Sequence, residues 1–338
     1  MPRAYTQLLD RGLLRNNNLT DPQEAVLQKI TIGNDGRQHV LEALKSDECT
    51  KAWLFERSRF PVQWQALVTP THSQGHDRYE SLAVSHHLRA VYVYNPKAAH
   101  SSLLSMFRAA SRGKLEITKR MLRGHANQTS RRNVPSGYLV FTFVRSPIST
   151  FVSGYAEAAH RLLTAADSGV GRGAHSMEMT YDSVNCDAPG ARFAAFVDDI
   201  QTRRRMGYDT YHVWPQAVKL DVLPDYTHFD FIGRVEELRD DWQALMERLG
   251  GNSGVLTTNP STHNVDACGK LIVVPDDALH AALPRLCDLL RADFVCFAYT
   301  IPSACAGLPP IPPQPFRPLP PRPPCTPVPT PLPRRPPA

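Results

Sequence analysis

Two apolar runs constrain this chain more than anything else in it. Ala90-Val-Tyr-Val-Tyr94 and Tyr138-Leu-Val-Phe-Thr-Phe-Val144 are short, β-branched or aromatic, and almost free of polar residues. A strand of that kind offers no face to water. Such runs suit a parallel sheet covered by helices on both sides. Helical spacing follows each one: Leu103, Phe107 and Ala110 share a face beyond Ser102, with Leu104 beside them, and Phe151, Tyr155 and Ala158 share one beyond Pro147. Strand, short loop and helix, repeated, is the rhythm of an α/β fold.

The junctions carry the chemistry. Asn95, Pro96, Lys97, Ala98, Ala99, His100, Ser101 and Ser102 separate the first strand from its helix. Backbone N–H groups at such a junction converge on an anion, and one lysine with two hydroxyls would complete a phosphate cradle. The loop has no glycine, so it departs from the pattern G-x-x-x-x-G-K-[ST]. The plainer alternative is an ordinary connection, with Lys97 solvated and Ser101 or Ser102 as a cap. At the second junction Arg145 ends the strand, Ser146 can cap, and Pro147 suits a first helical turn. Ligands of doubly wound sheets bind beyond the carboxyl ends of the strands, so Lys97 and Arg145 should emerge on one edge. Ser153, about two turns into the second helix, is placed to help bind an anion that Arg145 grips in a fork. The alternative is that Arg145 pairs with a local carboxylate and Ser153 merely packs.

Elsewhere the patterns are weaker. Residues 1–85 are polar, with one expected helix around Pro22–Ile30, and the core is expected to begin at Ala90. Phe229–Gly233 reads as a short strand. The helix after it buries Leu238, Trp242, Leu245 and Leu249 and stops at Gly250. A helical pair spans Asp276–Arg291, with Pro284 expected to start its second piece. Beyond Leu308 the chain is about half proline and cannot form a core; it reads as a disordered tail, a spacer or a ligand for SH3- or WW-type domains.

Apolar content of 42% and charged content of 21% describe a globular chain with a real core. Four of the six net positive charges come from Arg317, Arg322, Arg334 and Arg335 in the tail. The nearly balanced remainder argues against nucleic acid as a partner. Seven cysteines include no C-x-x-C pair and no zinc-like spacing, so no metal site is expected; an odd number cannot all pair within the chain. No run approaches the roughly 20 apolar residues of a membrane span. The N-terminus shows no apolar signal segment, so the sequence reads as soluble.

The two junctions together resemble known motifs. Asn95-Pro-Lys-Ala-Ala-His-Ser-Ser-Leu103 looks like the 5′-phosphosulfate loop, and Phe143-Val-Arg-Ser-Pro-Ile-Ser-Thr-Phe-Val-Ser-Gly-Tyr155 like the 3′-phosphate motif, of sulfotransferases that use 3′-phosphoadenosine 5′-phosphosulfate (PAPS). His212, Pro215 and Gln216 in HVWPQAVKL, the segment FDFIGRVEELRDD, and the closing LLRADFVCFAY resemble, in order, elements of the Golgi carbohydrate branch that includes the HNK-1 and chondroitin 4-O enzymes. His100 stands where that branch often carries a small residue or cysteine.

The resemblance implies a P-loop-NTPase-like sulfotransferase fold: a central parallel sheet flanked by helices, over residues 86–302. An N-terminal region (1–85) of unknown role precedes it, and a proline-rich tail (303–338) follows. It further implies transfer of a sulfuryl group from PAPS to a carbohydrate hydroxyl, without a metal, in the Golgi. Pro96, Lys97, Ala98, Ala99, His100, Ser101 and Ser102 would bind the phosphosulfate, and Arg145 and Ser153 the 3′-phosphate. Lys97 would assist the leaving group, with His125 as base and His100 as second choice. An anionic glycan would meet basic clusters at Lys119, Arg120 and Arg123, at Arg131 and Arg132, or at Arg203, Arg204 and Arg205. The competing readings are a catalytically degenerate scaffold working through its proline tail and a nucleotide kinase-like enzyme.

Overall fold

The computed structural model describes residues 36–59, 79–121, 135, 137–167, 188–203, 210–220, 229–251 and 272–311. Among them the order is helices α1 (Gly36–Leu44) and α2 (Asp47–Arg59), strands β1 (Tyr79–Ser85) and β2 (Ala90–Val93), helix α3 (His100–Ala110), and strands β3 (Glu116–Met121) and β4 (Leu139–Val144). Helices α4 (Pro147–Asp167), α5 (Pro189–Arg203) and α6 (Gln216–Lys219), strand β5 (Phe231–Arg234), and helices α7 (Leu238–Arg248), α8 (Asp276–Leu289) and α9 (Arg291–Cys296) complete it.

The strands form one sheet in the order β3-β1-β2-β4-β5. β2, β4 and β5 are parallel, as the unbroken apolar runs require; β1 extends the sheet antiparallel to β2, and β3 pairs antiparallel with β1 at the edge. Successive side chains on a strand face opposite sides, and here both sides are buried. Val91, Val93 and Val144 join a core with α1, α2, α4, α5, α8 and α9. Tyr92, Phe141 and Phe143 join another with Leu103, Met106 and Phe107 of α3 and Trp242, Leu245 and Met246 of α7. Tyr92 stacks on Phe141 at 5.2 Å between ring centroids, and Phe107 meets Phe141 edge-on at 5.1 Å. The result is a helix–sheet–helix sandwich.

Several expectations need correction. The sheet begins at Tyr79, not Ala90: Leu82, Ala83 and Val84 are buried, although Glu80 and Ser81 beside them blur the apolar pattern. The core also reaches back into α1 and α2, where Val40, Ala52 and Trp53 are buried. A disulfide joins Cys49 of α2 to Cys296 of α9, across 247 residues. A second joins Cys287 to Cys305, and Leu308 and Ile311 still pack on the core. Residues on both sides of the 86–302 stretch therefore pack into the same core. Pro284 does not start a helix. It lies inside α8, which ends at Leu289. Gly250 does end α7, at a φ of 63° that suits glycine, with Gly251 N–H bonding back to Met246. The expected helix at Pro22–Ile30, the sequons Asn18-Leu-Thr and Asn127-Gln-Thr, the proline tail beyond Ile311, and Cys186, Cys268 and Cys325 lie outside the described residues. No described helix is long and apolar enough to cross a membrane.

Candidate active site

Parallel register sets the site. β2 pairs with β4 through Ala90↔Leu139, Val91↔Val140 and Tyr92↔Phe141. Continued four positions further, the same register brings Pro96 level with Arg145, so both junction loops leave one edge of the sheet side by side. Side chains stitch the two tips together. Thr142 Oγ1 donates to Val93 O at 2.9 Å, and Asn95 Nδ2 donates to Phe143 O at 2.9 Å.

The first loop turns without glycine. Lys97 and Ala99 both adopt left-handed backbone, with φ of 69° and 54°. Each non-glycine residue there costs on the order of 1–3 kcal/mol, and such strain clusters at ligand-binding sites. Left- and right-handed residues in alternation turn successive N–H groups into one concavity that suits an anion. Ala99 precedes α3 with no side-chain cap, so neither Ser101 nor Ser102 plays the capping role the plain reading gave them. Ser101 is exposed and Ser102 buried.

Lys97 is not solvated. Its Nζ lies 3.0 Å from Glu157 Oε2 on α4, and its side chain is only 15% exposed. Glu157 stands one turn beyond Ser153, which is also buried, so the lysine reaches from one junction to the helix that follows the other. His100, at the start of α3, is pushed down to about 4 by burial, with the charges of Lys97 and Lys219 adding to the effect and Glu157 opposing it. Its imidazole is neutral near pH 7.

The second loop is held by distant residues. Gln216, fully buried, accepts from Arg145 N–H at 3.0 Å and from Asn95 Nδ2 at 2.8 Å, and donates to Arg145 O at 2.6 Å. One amide thus fixes both tips. Asp293 of α9 accepts from the N–H groups of Gln216 and Ala217 at 2.8 and 2.7 Å, anchoring α6. Burial holds Asp293 up at about 6, against the pull of those donors and of Lys219. Glu236 accepts from Ser146 N–H at 2.6 Å and from Tyr299 Oη at 3.1 Å. Ser146 does not cap through its side chain; its buried Oγ has no hydrogen-bond partner among the described residues. Gly154 permits α4 to approach the turn at Thr210–Val213 closely, since a Cβ there would strike the His212 carbonyl.

A lysine and an arginine leave adjacent parallel strands beside a backbone concavity. The model of the sulfotransferase family matches residues 80–300. The chain belongs to that family. No curated protein and no solved structure matches it. Membership makes the chain a transferase of sulfuryl groups, in a family that generally takes PAPS as donor, with an acceptor still to be defined.

Of the sulfotransferase residues expected from sequence, Pro96 to Ser102, Arg145 and Ser153 lie on the two neighbouring junctions. His125, Arg123, Arg131, Arg132, Arg204 and Arg205 fall outside the described residues, so the structure does not position them. Sequence reasoning missed Glu157, Glu236 and Asp293, and gave no structural role to Asn95 and Gln216, which it quoted only within motifs. Three of these sit inside the later family-like segments, which signalled that the segments mattered but not that they grip the loop backbones.

Proposed function

We propose that this sulfotransferase moves the sulfuryl group of PAPS onto a hydroxyl of a carbohydrate, as a member of the HNK-1 and chondroitin 4-O-like branch. One observation carries the reading. The Lys97 loop and the Arg145 loop leave neighbouring parallel strands in register, tied by Asn95 and Gln216. A donor with phosphate at each end of one adenosine needs that arrangement.

The residues present fit such a donor. The left-handed Lys97–Ala99 turn and the N-terminus of α3 suit the 5′-phosphosulfate oxygens, with the hydroxyls of Ser101 and Ser102 beside them. Arg145, its backbone fixed by Gln216, and Ser153 would hold the 3′-phosphate. Lys97 would neutralise charge growing on the bridging oxygen as the S–O bond breaks, where a preorganised cation lowers the barrier most. Much of the rest is positioning. The His125 assignment as base rests on resemblance alone.

The two disulfides support a Golgi setting, because such bonds persist in oxidising compartments. The proline-rich tail would serve an SH3- or WW-type partner through its extended polyproline conformation.

Calorimetry with PAP, the desulfated donor, tests the reading, alongside labelled PAPS offered with a glycan panel. Lys97→Ala and Arg145→Ala should each weaken PAP at least about tenfold, or 1.4 kcal/mol. PAP affinity unchanged in both variants would remove the basis for the proposal. PAP binding without sulfation of any glycan would favour the scaffold instead.

A further inference from the structure

One carboxylate in the site has no role in the scheme above. Glu157 Oε2 sits 3.0 Å from the Nζ of Lys97, the cation meant for the donor, and both side chains are largely shielded, at 20% and 15% exposed. Ala156, Ala158 and Ala159 around Glu157 on α4 are buried. An acid in that setting interacts with its neighbours far more strongly than a surface pair does. Lys97 pairs with it directly, and His100 of the first loop lies within its field together with Lys219 of α6.

We propose that Glu157 is the proton acceptor for the attacking hydroxyl, restrained by Lys97 until the donor binds. This rests on the PAPS reading above. In the donor-free protein the carboxylate is engaged in the ion pair with Lys97 and is held away from an incoming hydroxyl proton. Phosphosulfate oxygens compete for the same Nζ. As Lys97 turns to them, Glu157 gives up this ion pair and gains anionic neighbours, and both changes raise its affinity for a proton.

The chemistry then balances. The acceptor oxygen bonds to sulfur, the bond from sulfur to the bridging oxygen breaks, and its electron pair stays on the 5′-phosphate beside Lys97. The hydroxyl proton passes to Glu157. When the desulfated product leaves, Lys97 returns to Glu157 and the proton goes to solvent. His100 is a poorer acceptor: burial and its cationic neighbours leave its imidazole neutral but only weakly basic.

The test compares the wild-type chain with E157Q, which keeps the shape and removes the charge. PAP is titrated at pH 6 in two buffers of different ionisation enthalpy, which counts protons taken up on binding. The wild type should take up more protons than E157Q, any uptake by PAP itself being common to both. E157Q should bind PAP at least as tightly, because Lys97 no longer leaves a carboxylate. With the glycan that gains label from PAPS, E157Q should lose about 10²–10⁴-fold in kcat. The acid limb of the pH–rate profile should vanish, and E157D should restore part of the rate. Equal proton uptake, or an E157Q rate equal to wild type, overturns the inference and leaves the donor reading standing. A folded E157Q that cannot bind PAP overturns it too, since Glu157 would then be structural. Wild-type protein that binds no PAP or transfers no sulfate overturns both.

Discussion

Replacing Gln216 with alanine tests whether one buried amide holds both halves of the site. Three hydrogen bonds disappear: those from Arg145 N–H at 3.0 Å and Asn95 Nδ2 at 2.8 Å, and that to Arg145 O at 2.6 Å. Gln216 is fully buried, so the partners left behind lose their bonds inside the fold. An unsatisfied buried polar group costs about 1–3 kcal/mol. Asn95 Nδ2 keeps its bond to Phe143 O, and water entering the vacated space would recover part of the rest. The expected loss is about 3–5 kcal/mol, a large share of the ~5–15 kcal/mol that holds a domain folded. At about 2–4 °C per kcal/mol for a chain of this size, Tm should fall by roughly 10 °C. Urea unfolding followed by circular dichroism, with disulfides intact, measures the first figure. PAP calorimetry below the lowered transition measures the second consequence, a loss of affinity as Arg145 is released. Gln243→Ala is the control, because its amide bonds only Glu247 on the exposed side of α7 and should cost under about 0.5 kcal/mol. A Gln216→Ala loss below about 1 kcal/mol, or unchanged PAP affinity in a weakened protein, would refute the idea that this residue organises the tips.

Three further outcomes follow from the same structure. Asp293 is raised to about 6 in the fold and His100 lowered to about 4, so between about pH 4 and 6 the folded state keeps a proton on the first and refuses one on the second. Stability from Asp293 therefore falls as pH rises through that window, while stability from His100 rises. Urea unfolding should show Asp293→Asn gaining, and His100→Asn losing, about 1.4 kcal/mol per pH unit relative to the wild-type trend; parallel curves for all three would sink the assignment. Changing Cys49 and Cys296 together to serine opens a loop spanning 247 residues and should cost about 2–5 kcal/mol by denaturant titration, with the difference vanishing when wild type and variant are both reduced. Gly154→Ala drives a methyl into the His212 carbonyl and should destabilise by about 1–3 kcal/mol; a Tm within 1 °C of wild type would contradict that close approach.

What was legible in the sequence follows physical lines. The strands at Ala90 and Leu139 announced themselves because both faces are covered, leaving Thr142 as the one non-aromatic polar residue within them. Tyr79–Ser85 escaped notice because Glu80, Ser81 and Ser85 flank an apolar stretch of only three residues, Leu82, Ala83 and Val84. Helices α1 and α2 read as polar surface, yet Trp53 is buried and Cys49 is cross-linked to a residue 247 positions away. Nothing local to the first 60 residues encodes that attachment.

The site divides in the same way. Cations at strand tips can be read from sequence, because a strand-to-helix junction fixes where they emerge whatever else the chain does. The acids and amides that hold them cannot, since each reaches its target across a long sequence gap: 60 residues from Lys97 to Glu157, 71 from Arg145 to Gln216, 90 from Ser146 to Glu236 and 77 from Gln216 to Asp293. This bears on the later family-like segments. Gln216, Glu236 and Asp293 bond mainly to backbone N–H and C=O groups, with side-chain bonds to Asn95 and Tyr299 besides. They set the path of two loops, one of which carries left-handed backbone at Lys97 and Ala99 without a glycine to ease it. A loop strained in that manner keeps its shape only while the surrounding contacts over-determine it. Substitutions in those segments should therefore first appear as lost stability and a relaxed donor loop, and only through that as lost transfer.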